Sequence, residues 1–172
     1  MEQEYRQPRY TPPPGAADLF LIRHGESAPA RAGVSFPMKD GHGDPPLHPA
    51  GHAQAEVVGE RLKREPFAAI YVTKLTRTHQ TAAPLAVYLG LTPLENPDLH
   101  EVHLGEWDGG LYRIKAAARD PVYMQAMADQ DWSPFPEPKA AMPSLAACSA
   151  GCWILQRPTG TNKSQSLSMA AW

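Results

Sequence analysis

Two short apolar runs, Asp18-Leu-Phe-Leu-Ile22 and Ala68-Ala-Ile-Tyr-Val72, are each followed along the chain by a stretch with helical spacing. Runs of that length read as strands, and strands alternating with helices fold as a layered α/β protein with a mainly parallel sheet. From Ala50 to Arg64 the residues Ala55, Val58 and Leu62 share one face, and the stretch ends in a basic turn, which predicts a helix. From Thr76 to Leu89 the residues Ala82, Leu85, Ala86 and Leu89 share a face and Gly90 stops the pattern, although Pro84 inside it argues mildly against a continuous helix. Leu94 to Leu99 reads as a third strand, and Leu111 to Arg119 and Pro121 to Ala128 as short helices. Segment 28–49, rich in glycine and proline, reads as one long loop, a length often tied to function.

The chain has 172 residues, 42% hydrophobic and 20% charged, with a net charge of -2, which suits one globular domain. Nothing in that balance points to nucleic acid or an anionic membrane. The longest apolar runs, Leu19 to Ile22 and Phe67 to Val72, fall far short of a membrane span, and the proline-rich start lacks the apolar stretch of a signal peptide, so a cytoplasmic location is expected. The distribution is uneven: every acid lies at or before Glu137 and every histidine between His24 and His103. Cys148 and Cys152, spaced C-x3-C, match neither a disulfide framework nor a zinc or redox pair. Three parts are expected: a flexible segment 1–15, a folded part 16–131, and an atypical tail 132–172 foreign to the fold.

Arg23-His24-Gly25-Glu26 stands at the end of the first apolar run. A neutral imidazole can be a nucleophile, a neighbouring cation can hold an anion, and glycine lets backbone come close; together they suit attack on a phosphoryl group. Four residues alone read more readily as a structural histidine and its neighbours. His48 and His52 are four apart, but Pro49 and Gly51 lie between them and no cysteine or carboxylate completes a metal set with His42. The glycines of 28–49 form no P-loop, because no Gly-Lys-Ser/Thr follows.

Four ordered motifs resemble the histidine phosphatase superfamily, in its phosphoglycerate mutase-like branch. They are Leu21-Ile-Arg-His-Gly-Glu26; Asp44-Pro-Pro-Leu-His-Pro-Ala-Gly-His-Ala-Gln-Ala55; Thr73-Lys-Leu-Thr-Arg-Thr-His-Gln-Thr-Ala82; and Leu99-His-Glu-Val-His-Leu-Gly-Glu-Trp-Asp-Gly109. The resemblance covers about residues 17–129 and implies a three-layer α/β/α sandwich, incomplete at the C-terminus. It implies a phosphohistidine mechanism without metal or cofactor: His24 attacks phosphorus, Arg23 and Arg77 hold the phosphoryl oxygens, and Glu101 protonates the leaving oxygen and later activates water. Ser27 is a candidate extra phosphate hydrogen bond, and Glu26 a structural acid that orients neighbouring donors. His48 stands where the family usually has threonine and Thr73 where serine is usual.

The family also has a second catalytic histidine, on a later strand beside the first that ends in His-Gly-Gly or similar. This chain has no histidine after His103, and its tail is expected to supply neither that strand nor its helices. Read one base earlier, with TC-type codons for Ser164 and Ser166, a Ser168 codon ending in C and an Ala170 codon ending in G, Lys163 to Ala171 would give mostly apolar residues followed by His-Gly-Gly. A change of reading frame between about Asp131 and Gly151 is therefore expected, leaving a truncated catalytic domain. Losing one donor to a developing oxyanion costs ~10²- to 10³-fold in rate, and losing its strand costs more.

The expected function is hydrolysis of a small phosphorylated substrate, with a mutase as a sub-option, in a chain whose turnover is impaired. The alternative is a non-catalytic, phosphate-binding or fragmentary relative; a metal-binding or interaction module is more distant. The sequence names no substrate and sets no oligomeric state.

Overall fold

Residues 4–6, 13–99 and 101–131 are described in full by the computed structural model, and 152–158 by their backbone. The elements in chain order are β1 (Ala17–Arg23), β2 (Met38–Lys39), β3 (His42–Gly43), α1 (Pro49–Leu62), β4 (Ala69–Val72), α2 (Thr76–Leu89), β5 (Leu94–Glu95), α3 (Leu111–Ala117), α4 (Pro121–Asp129) and β6 (Cys152–Pro158). A single 3-10 turn, Gly105–Trp107, precedes α3. The mixed α/β architecture read from the alternation is present, and the boundaries of β1, α1, β4 and α2 fall within a residue or two of those expected.

Alternation along β1 turns Phe20 and Ile22 toward the helices, where they join Phe67, Ile70, Val72, Ala82, Leu85 and Ala86 in the main core. Phe20 meets Phe67 edge to face at 5.1 Å, an arrangement that suits the ring quadrupoles. Ile70 and Leu85 are fully buried, each contributing about 1.5–3 kcal/mol relative to exposure. The opposite face of β1 presents Leu19 and Leu21, 59% and 64% exposed, so among the described residues only one face of the sheet carries helices.

Helix α2 begins at the expected Thr76 and ends at Gly90, whose φ of 63° closes it with hydrogen bonds to the carbonyls of Ala86 and Val87. Pro84 does not break it. The proline removes one donor, but its ring faces α1 at Gly59, where a Cβ would meet Pro84 Cβ at 3.0 Å. The two helices pack through that contact.

Four expectations need correction. The sheet order is β1-β6-β4-β5: β4 and β5 are parallel as expected, but β6 runs antiparallel between β1 and β4, which therefore do not pair. A strand beside the first was not expected from the tail; the run Cys152-Trp-Ile-Leu155 is apolar, and an open strand edge accepts any run able to complete its ladder. The third strand is only Leu94–Glu95, because Asn96 turns the chain with its side chain accepting from the Asp98 amide, and Pro97 follows. Within 28–49, β2 and β3 form a hairpin across Asp40-Gly41, with φ of 50° and 83°, the left-handed pair that a two-residue hairpin turn requires.

Among the described residues no helix is long and apolar enough to cross a membrane.

Candidate active site

The loop after β1 is held almost entirely by other motif residues. The Gly25 amide donates to Thr81 Oγ1 at 3.0 Å, and the Thr81 hydroxyl donates to the Arg77 carbonyl at 2.7 Å. Gln54 Oε1 accepts from the Glu26 amide at 2.8 Å, and the Glu26 carbonyl accepts from the His48 amide at 2.9 Å. Glu26 thus holds its neighbours through its backbone, while the charge of its carboxylate acts on Arg113. His48, in the usual threonine position, caps α1: its Nδ1 accepts from the Ala50 amide at 3.3 Å.

The other motifs build the neighbouring wall. Asp44 accepts from both the amide and the hydroxyl of Thr76, at 2.8 and 2.7 Å, and so caps α2 from across the fold. Thr73 keeps the hydroxyl that serine would supply: its Oγ1 accepts from the Leu75 amide and lies 3.0 Å from Thr78 Oγ1. Trp107, 4% exposed, packs with Ala126, Leu104, Tyr112 and Tyr123, seating α3 and α4 beside the site. Asp108 accepts from the Leu104 amide at 3.0 Å and, at 3.4 Å, from the amide of Gly43 in β3, which joins the Glu101 loop to the hairpin.

These supports bring Arg23, His24, Arg77 and Glu101 around one cleft of about 250 Å³. His24 Nδ1 donates to the Gly25 carbonyl at 2.6 Å, which in the neutral ring leaves Nε2 with its lone pair. Burial lowers the His24 pKa to about 4, helped by the positive charges of Arg77, Arg23 and Arg113. The imidazole is therefore neutral near pH 7, the state a nucleophile needs. Arg77, 6% exposed, donates to the Gly43 carbonyl at 2.9 Å and lies 3.7 Å from Glu101 Oε2. Burial raises the Glu101 pKa, against the opposing pull of Arg77, toward the protonated form a general acid requires.

Ser27 is 4% exposed and is engaged by a residue the motifs did not single out: Arg113 Nη2 donates to Ser27 Oγ at 2.6 Å. Arg113 borders the small cleft and also an adjoining one of about 750 Å³, shared with Arg23, His24 and Ser27. The signal available in the sequence was the basic residue three positions after the Gly109-Gly110 pair, where α3 has just begun. His42 and His103, outside the expected set, meet edge to face at 5.1 Å, and His42 borders the small cleft. Among the described residues no three His, Cys, Asp or Glu side chains are grouped as a metal ion would need.

Sequence comparison matches residues 19–150 to the histidine phosphatase superfamily (branch 1). The chain belongs to this superfamily. It is 34% identical over 110 residues to phosphoglycerate mutase-like protein 4 of Arabidopsis thaliana, covering 62% of this chain and 46% of that one. It is 36% identical over 87 residues to the probable phosphoglycerate mutase GpmB of Photorhabdus laumondii, covering 51% of this chain and 39% of the relative. Among solved structures, this histidine phosphatase superfamily member is similar to a mycobacterial glucosyl-3-phosphoglycerate phosphatase complexed with VO3. The TM-score is 0.50 with 30% identity, over 64% of this chain and 52% of the other. The chain thus spans about half the length, or less, of these relatives.

Proposed function

We propose that this superfamily member acts on small phosphomonoesters through a phosphohistidine on His24. The phosphoryl group is held by Arg23 and Arg77, with the Ser27 hydroxyl as a further donor. His24 Nε2 forms a bond to phosphorus as the ester P–O bond breaks, and the departing oxygen takes the Glu101 proton. The Glu101 carboxylate then takes a proton from water, whose oxygen attacks phosphorus and returns His24 to its neutral form with release of phosphate. The observation that carries this reading is the His24 Nδ1 to Gly25 carbonyl hydrogen bond, in a ring kept neutral by burial and flanked by the Arg77–Glu101 pair. No metal or cofactor enters any step.

The phosphatase and mutase-like names of the relatives support a small phosphorylated substrate, and hydrolysis is favoured over mutase chemistry because nothing in this chain specifies phosphoryl return to a second position. A second reading, phosphate binding with little turnover, is favoured by one observation: no histidine follows His103. A change of reading frame between about Asp131 and Gly151 accounts for that absence, and AG-type codons for Ser164 and Ser166, or a Ser168 codon not ending in C, would overturn it.

The test is hydrolysis of 4-nitrophenyl phosphate by the purified chain, with His24→Ala as control and a chelator present. Chelator-resistant turnover lost in H24A supports phosphohistidine chemistry. Phosphate binding without turnover selects the second reading, and chelator-sensitive activity overturns both.

A further inference from the structure

We propose that Arg113 is a specificity-determining residue that holds a second anion of the substrate, a carboxylate or a second phosphate, beside the phosphoryl group; this rests on the phosphoryl site proposed above. Arg23 and Arg77 already supply the two cations that a phosphoryl dianion calls for. Arg113 is a third, bordering both clefts where they meet at Arg23 and His24.

Its guanidinium is fixed before any ligand arrives. Nη1 donates to the Ala28 carbonyl at 2.9 Å and Nη2 to Ser27 Oγ at 2.6 Å, so its position is tied to the loop that carries His24. The group also lies over the Phe36 ring, 5.4 Å from its centre, and Phe36 is held in turn by its amide bonding to the Gly109 carbonyl at 2.9 Å. Both hydrogen-bond partners are neutral oxygens, and they occupy two of the five guanidinium N–H donors. Among the described residues no carboxylate is ion-paired with it, and Glu26, which borders the same cleft, acts on it only through its charge. A preorganised cation with donors left over, on the rim of a cleft of about 750 Å³, fits a planar or tetrahedral anion well and a neutral alkyl chain poorly.

Calorimetric binding of three ligands to the full chain, the Arg113→Gln variant and the Arg113→Lys variant tests this. The ligands are ethyl phosphate, phosphoglycolate and ethylene glycol bisphosphate. The parent chain is expected to bind at least one of the two doubly anionic ligands roughly ten- to hundredfold more tightly than ethyl phosphate, the range of a charge-assisted hydrogen bond. Which of the two gains more tells carboxylate from phosphate. In R113Q that advantage is expected to shrink to within about threefold, and R113K to recover part of it for the bisphosphate, which a point charge can hold. A purely structural role would weaken all three ligands in proportion and leave the preference standing, which overturns the assignment. If R113Q does not fold, an undiminished preference in R113K for the carboxylate ligand overturns it equally. A parent chain that binds ethyl phosphate without preferring either dianionic ligand overturns the role of Arg113 alone, whereas one that binds none of the three overturns the phosphoryl site itself.

Discussion

Gly25 and Gly51 meet backbone to backbone: a Cβ on Gly25 would stand 2.5 Å from the Gly51 carbonyl oxygen, and one on Gly51 would collide with the Glu26 carbonyl. The first turn of α1 therefore lies directly on the loop that carries His24. Replacing Gly51 with alanine is expected to push the two apart, at a cost of about 1–3 kcal/mol. Urea unfolding of G51A should show a lower midpoint with the slope preserved, together with weaker binding of inorganic phosphate.

Asp44 supplies both acceptors for the start of α2, where Leu75 offers no side-chain cap. Asp44→Ala should cost about 1–2 kcal/mol, toward the upper part of the capping range because Asp44 is buried. Thermal unfolding measures it. Because Arg77 sits in the first turn of α2, phosphate affinity should fall in the same variant.

His24 links stability to pH with a definite sign. Its folded pKa, about 4, lies below the ordinary histidine value of 6.5, so between those values the unfolded chain binds the extra proton. The contribution of a neutral His24 is complete above pH 6.5 and is lost as pH falls toward 4. Denaturant unfolding of His24→Gln across pH 4–7 should show a shallower acid loss than the parent chain; parallel curves would contradict the depressed pKa.

In the proposed mechanism the two groups set opposite limbs of the pH profile. Neutral His24 would be needed, so the acid limb should follow its low pKa, and protonated Glu101 would be needed to expel a basic alkoxide, so the alkaline limb should follow a pKa raised above the ordinary 4.5. Glu101→Gln should remove the alkaline limb and slow alkyl phosphates by ~10²- to 10⁴-fold. An aryl phosphate with an acidic leaving group should lose less in its first step, so radiolabelled phosphoenzyme should build up, a result that quenched-flow labelling would show or refute.

Leu19 and Leu21 project from the uncovered face of an edge strand. Leu19→Thr with Leu21→Lys is expected to suppress concentration-dependent association, seen by light scattering, with a change in unfolding midpoint smaller than that of G51A.

The elements whose evidence is local were legible in the sequence. The α2 helix carries its own periodicity and its own Gly90 stop, and β1 ends at the polar cluster that its position requires. The Asp40-Gly41 turn was equally local and was hidden only by the glycine and proline around it. What could not be read was pairing between distant segments. Nothing within Cys152–Pro158 says that it inserts between β1 and β4, and nothing near Asp44 says that it caps a helix 32 positions later. The motifs marked His24, Arg23, Arg77 and Glu101, and the structure brings all four around one cleft. Arg113 escaped because its meaning lies in contacts with Ser27 and Ala28, 86 and 85 residues away.

The placement of β6 bears on the order of folding. Leu155 is in register with Phe20 on one side and Ile70 on the other, so within the sheet the strand leading to His24 and the strand leading to Arg77 are bridged by a segment that follows both in sequence. Such long-range pairing raises contact order and slows folding. On the ribosome, the helical pair α1–α2 can associate early, while β1 waits with an open edge until Cys152–Pro158 emerges. The sheet beside His24 is then completed after the helices that support its loop have packed.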